Sequence, residues 1–278
     1  MPLDIRVIAF DLDGTLLNSE KEITPRVREA VRRAAAAGIT VLPATGRPLS
    51  NIDAAVLGLP GVRYALISNG AQILDLQTGQ SLYSDCFTAD EALPLLLVAA
   101  EDADIVSVYA NGKAYTDNPH LEAMRPLIPA AFLSAIWSSR TRVPSLLDFL
   151  LQEKPQVEKL AMMYAKPEAR QAALQKLNAG PFHACITASL EYNLEVNTAT
   201  CNKGVSLLAL AKHLGYTREQ VMALGDAEND AEMLRAAGYS VAMGNAEPAI
   251  KALADSITAG CDEDGAALAI EAILPPGA

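Results

Sequence analysis

Asp11 and Asp13 stand one residue apart at the end of the apolar run Val7-Ile8-Ala9-Phe10, and Gly14-Thr15-Leu16 follows them. The run reads as a buried parallel strand, and ligand sites in such sheets lie just beyond the strands' C-terminal ends. Residues two apart in a strand point the same way, so both carboxylates are expected in one pocket. Gly14 lets the chain turn sharply behind them. Two carboxylates there can hold a divalent cation, and one can attack phosphorus while the other handles a proton. An Asp-x-Asp pair alone also describes a solvated turn, and the strand before it together with the Gly-Thr after it favours a site.

Three further stretches bear chemistry of the same kind. Thr45-Gly46-Arg47 follows the apolar run Ile39–Leu42. The Thr45 hydroxyl and the backbone amides around Gly46 suit phosphoryl oxygens or a helix cap, and Arg47 suits a substrate anion or a surface ion pair. Lys203 opens a helix, where the partly positive N-terminus disfavours a cation unless a bound anion offsets both; a solvated lysine is the competing reading. Gly225-Asp226-Ala227-Glu228-Asn229-Asp230 is a second acidic cluster at the end of Val221–Leu224. Asp230 lies one helical turn past Asp226 and can share its pocket, whereas helix capping is the plain alternative for Asn229 and Asp230. Opposed acidic strand ends would repel one another, and Mg²⁺, a hard cation that keeps room for water and phosphate, removes that penalty. The whole inventory fits phosphoryl transfer.

These residues need a scaffold that gathers strand ends. Strand and helix patterns alternate through the first section: Val7–Phe10, a helix begun by Thr24-Pro25 and ended by Gly38, then Ile39–Leu42, a helix near 49–57, and Tyr64–Ile67. The last section alternates again: a strand at 190–196, a helix from Lys203 to about Leu214, Val221–Leu224, a helix over 228–237, Tyr239–Ala242, and helices from about Glu247 and Glu263. This order predicts a doubly wound, Rossmann-like parallel sheet with helices on both faces. The middle differs. Ile105–Tyr109 and Ala114-Tyr115 flank Asn111-Gly112, a hairpin signal, with further strands at 157–165 and 182–187 and a helix after Pro167. It reads as an inserted α+β module at 84–188, leaving 1–83 and 189–278 as the core domain.

The 278 residues are ample for such a core, 51% of them are hydrophobic, and the formal charge is −11. That balance supplies no basic stripe for nucleic acid but leaves room for a local anion pocket. Cys86, Cys185, Cys201 and Cys261 form no C-x-x-C pair, and His120, His183 and His213 show no metal-ligand spacing. No apolar run reaches the ~18 residues of a membrane span, and the opening residues do not read as a signal peptide, so a cytoplasmic protein is expected.

The motifs together resemble the haloacid dehalogenase superfamily of phosphatases, in its Cof-type branch. The matching stretches are Phe10–Leu16, Ala44–Pro48, Ile67-Ser68-Asn69-Gly70-Ala71, Lys203-Gly204, Leu224–Asp226 through Asn229-Asp230, Val241–Ala246 and Glu263-Asp264-Gly265. Cys201-Asn202 and Cys261-Asp262 are small departures from the pattern. The resemblance implies that Asp11 attacks phosphorus and becomes an aspartyl-phosphate, and that Asp13 protonates the leaving oxygen and then activates water. It implies Mg²⁺ held by Asp11, Asp13 through its carbonyl, Asp226 and Asp230. Thr45, Gly46, Arg47, Lys203 and Asn229 would bind the phosphoryl group or substrate, and the inserted module would be a C2-type (IIB) cap that selects the leaving group. The implied substrate is a small soluble phosphorylated metabolite, a sugar phosphate first and a phosphorylated cofactor such as pyridoxal phosphate or flavin mononucleotide second, with no nucleic acid or membrane partner. A sugar phosphomutase of the same superfamily and a non-catalytic sugar-phosphate sensor are the rival readings. Neither the pathway nor the oligomeric state is encoded in any motif.

Overall fold

Val7–Phe10 (β1) is fully buried, which only a strand covered on both faces allows. It is an interior strand of a five-stranded sheet in the computed structural model, which describes residues 3–117, 124–128, 130–188 and 191–274. The flanking strands are Thr40–Pro43 (β2), Val221–Gly225 (β12), Tyr239–Ala242 (β13) and Ser256–Ile257 (β14). Their order is β14-β13-β12-β1-β2, and every pairing is parallel. In register, Phe10 stands between Leu224 and Pro43, so the segments after β1, β12 and β2 leave the sheet at one edge. This is the arrangement the alternating pattern predicts.

Tyr64–Ile67 (β3) continues beside β2 through parallel bridges at Val41–Val62 and Ala44–Leu66. It then pairs antiparallel with Gln72–Asp75 (β4), which pairs with Ser81–Ser84 (β5), an extension the sequence reading did not contain. The expected helix at 49–57 is a 3₁₀ turn at Leu49–Asn51 and one helical turn at Ala54–Leu57, capped by Asp53. The helix Pro25–Ala36 begins as expected, with the Thr24 hydroxyl accepting the Val27 amide at 3.2 Å. Leu207 and Leu210 from the helix Lys203–His213 and Met233 and Leu234 from the helix Ala231–Ala236 bury one sheet face against Val7, Ala9 and Ala223. Two short helices, Pro248–Lys251 and Gly265–Ile273, complete this unit.

The second unit has a six-stranded sheet of its own. Its strands are Ile105–Ala110 (β6), Lys113–Thr116 (β7), Arg140–Arg142 (β8), Val157–Met163 (β9), Ala184–Thr187 (β10) and Asn193–Thr198 (β11), in the order β10-β11-β9-β6-β7-β8. All pairs are antiparallel except β7 with β8. Asn111 and Gly112 turn the β6–β7 hairpin with φ of +53° and +69°, the left-handed pair that a two-residue turn requires. The helices Ala89–Ala99, Leu146–Glu153 and Pro167–Ala179 cover one face of the sheet.

The strand expected at 190–196 as part of the parallel section is β11, and it pairs antiparallel with β9 and β10. A short apolar strand carries no mark of the sheet it will join. Within the described residues, the chain through Gly46, Ile52–Ser84 and the chain from Asn202 form one compact unit; Arg47–Asn51 and Asp85–Cys201 form the other. The breaks therefore fall near 84 and 201, where the sequence reading set them at 83 and 188. His120 and the tail 275–278 lie outside the described residues. No helix among those described is long and apolar enough to cross a membrane.

Candidate active site

Lys203 is fully buried at the first position of its helix, which Asn202 caps by accepting the Val205 amide at 2.9 Å. A buried ammonium needs counter-charge, and Lys203 Nζ donates at 2.6 Å to both Asp11 Oδ1 and Asp230 Oδ1. The anion that offsets Lys203 is thus a pair of carboxylates, one after β1 and one past β12. Burial pulls the lysine pKa down, but Asp11 and Asp230 outweigh it and hold the pKa above its ordinary value.

The loop after β12 is folded around Asp230. Its Oδ2 accepts the amides of Asp226 at 3.0 Å and Ala227 at 3.1 Å. A β-carbon on Gly225 would stand 2.6 Å from Asp230 Cβ, so only glycine lets the loop close. Asp226 Oδ1 accepts the Thr15 hydroxyl at 2.8 Å, and Asp226 Oδ2 accepts Asn245 Nδ2 at 3.3 Å. Asn245 Nδ2 also donates to the Gly14 carbonyl at 2.9 Å, and its Oδ1 accepts the Cys261 amide at 2.9 Å. Gly14 takes φ of +85°, and a β-carbon there would meet Asp226 Oδ2 at 2.5 Å.

Carboxylate oxygens of Asp11, Asp226 and Asp230 lie within 4.8 Å of one another. Burial, with Asp230 and Asp226 nearby, raises the Asp11 pKa to about 7 despite Lys203. Burial and Asp230 raise Asp226 to about 6, against the Thr15 hydrogen bond. Three carboxylates share one ammonium in a desolvated pocket, and the raised Asp11 and Asp226 pKa values reflect that excess of acidic groups. An all-oxygen donor set with that excess fits a hard divalent cation. Asp230 spends its oxygens on Lys203 and two amides and Asp226 spends its own on Thr15 and Asn245, whereas Asp11 gives Oδ1 to Lys203.

Thr45 is buried, donates its amide to the Leu66 carbonyl at 2.9 Å and accepts the Asn69 amide at 3.0 Å. Ser68, Asn69 and Gly70 form a left-handed run with φ of +52°, +63° and +102°, a costly conformation for the two non-glycines. That run aims Asn69 Oδ1 at Asn229 Nδ2, 3.3 Å away. Thr45, Asn69 and Asn229 are thereby chained, and a β-carbon on Gly70 would collide with the Asn202 carbonyl beside Lys203.

Two sequence candidates keep other company. The Asp13 carboxylate is exposed and pairs with Lys21 Nζ at 2.9 Å. Arg47 donates to the Asn51 carbonyl at 3.2 Å, in the stretch grouped with the second unit; Gly46 ends the first. Thr15 and Asn245 were not singled out as site residues. Their signal was present, since both sit in stretches quoted for the resemblance, but neither is ionisable.

A family model of haloacid dehalogenase-like hydrolases matches residues 8–270. The phosphatase YcsE of Bacillus subtilis (strain 168), named for 5-amino-6-(5-phospho-D-ribitylamino)uracil, is 31% identical over 275 residues, covering 96% of this chain and 95% of its own. An HMP-PP phosphatase of Cronobacter sakazakii (strain ATCC BAA-894) is 31% identical over 248 residues, covering 89% and 87%. The solved structure of a haloacid dehalogenase-like hydrolase from Bacteroides thetaiotaomicron matches with a TM-score of 0.81 and 30% identity, over 97% of this chain and 100% of that one. This chain belongs to the haloacid dehalogenase-like hydrolases and is an enzyme of their phosphatase group.

Proposed function

We propose that this enzyme is a Mg²⁺-dependent phosphatase of small soluble phosphate esters, sugar phosphates above all, working through a phosphorylated Asp11 in the cytoplasm. The observation that carries this reading is the clamp on Asp11. Lys203 holds its Oδ1 at 2.6 Å, which leaves Oδ2 as the attacking oxygen. Attack forms the Oδ2–phosphorus bond as the ester oxygen leaves, and Asp13 gives that oxygen its proton. Asp13 then takes a proton from the water that attacks phosphorus, freeing phosphate and restoring Asp11. The exposed Asp13 carboxylate suits a group that must exchange protons with substrate and water.

Asp11, the Asp13 carbonyl and Asp226 would hold the metal, with Asp230 behind them. Bound there, Mg²⁺ would neutralise the approaching phosphoryl oxygens. Lys203 and the Thr45 hydroxyl would bind those oxygens, with Gly46 amides and Asn229 in support and Arg47 reaching for the substrate anion. The second unit would act as a cap that selects the leaving group. The names of the two relatives, a 5-amino-6-(5-phospho-D-ribitylamino)uracil phosphatase and an HMP-PP phosphatase, support a small phosphorylated metabolite as substrate.

The test is a panel of phosphate esters assayed for released phosphate with and without Mg²⁺, beside Asp11→Asn. Wild-type turnover that needs Mg²⁺ and vanishes in the folded variant supports the reading. Full activity in Asp11→Asn overturns it. Accumulation of an isomeric sugar phosphate would mark a mutase instead, and tight binding without turnover would mark a sensor.

A further inference from the structure

Two helices of the second unit carry more leucine than the sheet beneath them covers. In Ala89–Ala99, the run Leu95-Leu96-Leu97-Val98 is wider than the single stripe that a helix lays on a core. Leu95 and Leu96 are buried there, and Leu97 is left 59% exposed. In Leu146–Glu153, Leu146 and Leu150 are buried, while Leu147 and Leu151, one turn apart, are 40% and 48% exposed. The surplus leucines are not scattered. Leu96 and Leu97 of one helix and Leu146 and Leu147 of the other line one cavity of about 350 Å³, with Val106 of β6. The cavity lies wholly within the second unit.

The charged side chains lining it are Glu101, Asp104 and Asp117. Asp104 stands just before β6 and Asp117 just after β7, so the antiparallel pairing brings both to one end of these strands. Each is pinned through one oxygen. Asp104 Oδ2 accepts the Ala165 amide at 2.7 Å, and Asp117 Oδ2 accepts the Leu146 amide at 3.0 Å. Glu101 pairs with Lys176. Among the described residues, no lysine or arginine pairs with Asp104 or Asp117, and none lines the cavity.

Leucine walls beside two carboxylates that lack a cation suit one kind of occupant. A wholly apolar molecule would desolvate the carboxylates without giving them a partner, and an anion would be repelled. A bare metal ion would leave the leucines in water. A second copy of this chain, at a formal charge of −11, brings a surplus of the wrong sign. The volume matches the small end of the cavities that take organic ligands. We infer that this cavity binds a small amphiphilic cation, an ammonium or amidinium on an apolar body. The leucines take up the body, and the Oδ1 atoms of Asp104 and Asp117 receive the N–H donors. None of the residues around Asp11 takes part, so the inference stands apart from the phosphatase reading.

Three probes with one apolar body test it: 4-phenylbutylamine, 4-phenylbutan-1-ol and 4-phenylbutyrate, which at pH 7 are a cation, a neutral molecule and an anion. Each is titrated into the full chain and followed by protein NMR. The amine is expected to bind about tenfold to a hundredfold more tightly than the alcohol, the worth of one hydrogen bond to a charged group, and the butyrate least well. The double variant Asp104→Asn with Asp117→Asn should bring amine and alcohol together. Each asparagine keeps an oxygen for its backbone amide, so the fold is retained. Leu97→Ala and Leu147→Ala should weaken amine and alcohol alike. A wild type that binds none of the probes, equal binding of amine and alcohol, or a preference that survives in the folded double variant overturns the site. Self-association that excludes the amine and is lost in Leu97→Glu would give the face to a second copy and overturn it as well.

Discussion

Lys203 donates to Asp11 at 2.6 Å across a separation of 192 residues, with both side chains withdrawn from water. A second bond of the same length ties the lysine to Asp230. One ammonium thus joins the segment after β1 to the loop after β12, and it holds Oδ1 of Asp11 in place.

Removal of that ammonium should be felt twice. Lys203→Ala leaves Asp11 and Asp230 buried with no counter-charge, which is expected to cost about 3–5 kcal/mol of stability. It also removes a cation from the developing phosphoryl charge, for a loss of about 10²–10³ in kcat. Urea unfolding and steady-state phosphate release measure the two effects. An unchanged kcat would place the lysine outside the reaction.

Metal should stabilise the folded protein. With Mg²⁺ at 100 times its dissociation constant the gain is about 2.7 kcal/mol, seen as a rise in Tm. Asp226→Asn removes one charged ligand, so its Tm should respond to Mg²⁺ far less. Equal responses in both proteins would move the metal away from Asp226.

Gly14→Ala tests the closeness of the two acidic loops. A methyl at φ of +85° and 2.5 Å from Asp226 Oδ2 forces either the turn or the carboxylate to move. The left-handed backbone alone costs about 1–2 kcal/mol. The Mg²⁺ concentration for half-maximal activity is expected to rise. A variant matching the wild type in that titration would show that Asp226 does not need its present position.

Asp75 offers a pH test away from the site. Its hydrogen bond to Arg63, 2.7 Å long, outweighs burial and, with the amides of Gln77 and Thr78, lowers its pKa to about 2. A carboxyl with a depressed folded pKa stabilises the protein above its unfolded pKa of about 3.9 and loses that contribution as pH falls through the folded value. The Tm gap between wild type and Asp75→Asn should therefore be full at pH 7 and close between about pH 4 and pH 2. A gap independent of pH would mean the pair contributes nothing through charge.

Local chemistry could be read directly from the chain. The apolar run before Asp11 reads as a buried strand, Thr24-Pro25 starts a helix through its own hydroxyl and ring, and Asn111-Gly112 turns a hairpin because both tolerate positive φ. The acidic pairs were visible as charges at strand ends. Those features depend on neighbours a few residues away, and short-range sterics and hydrogen bonds act at that distance. Other features depend on groups tens to hundreds of residues apart. The chain does not announce that Lys203 answers Asp11 and Asp230, that Asn245 links Gly14 to Asp226, or that β11 joins the antiparallel sheet. Pairing of that kind is selected by the burial of whole surfaces, because a desolvated charge or strand edge accepts whatever complementary group the packed chain brings to it.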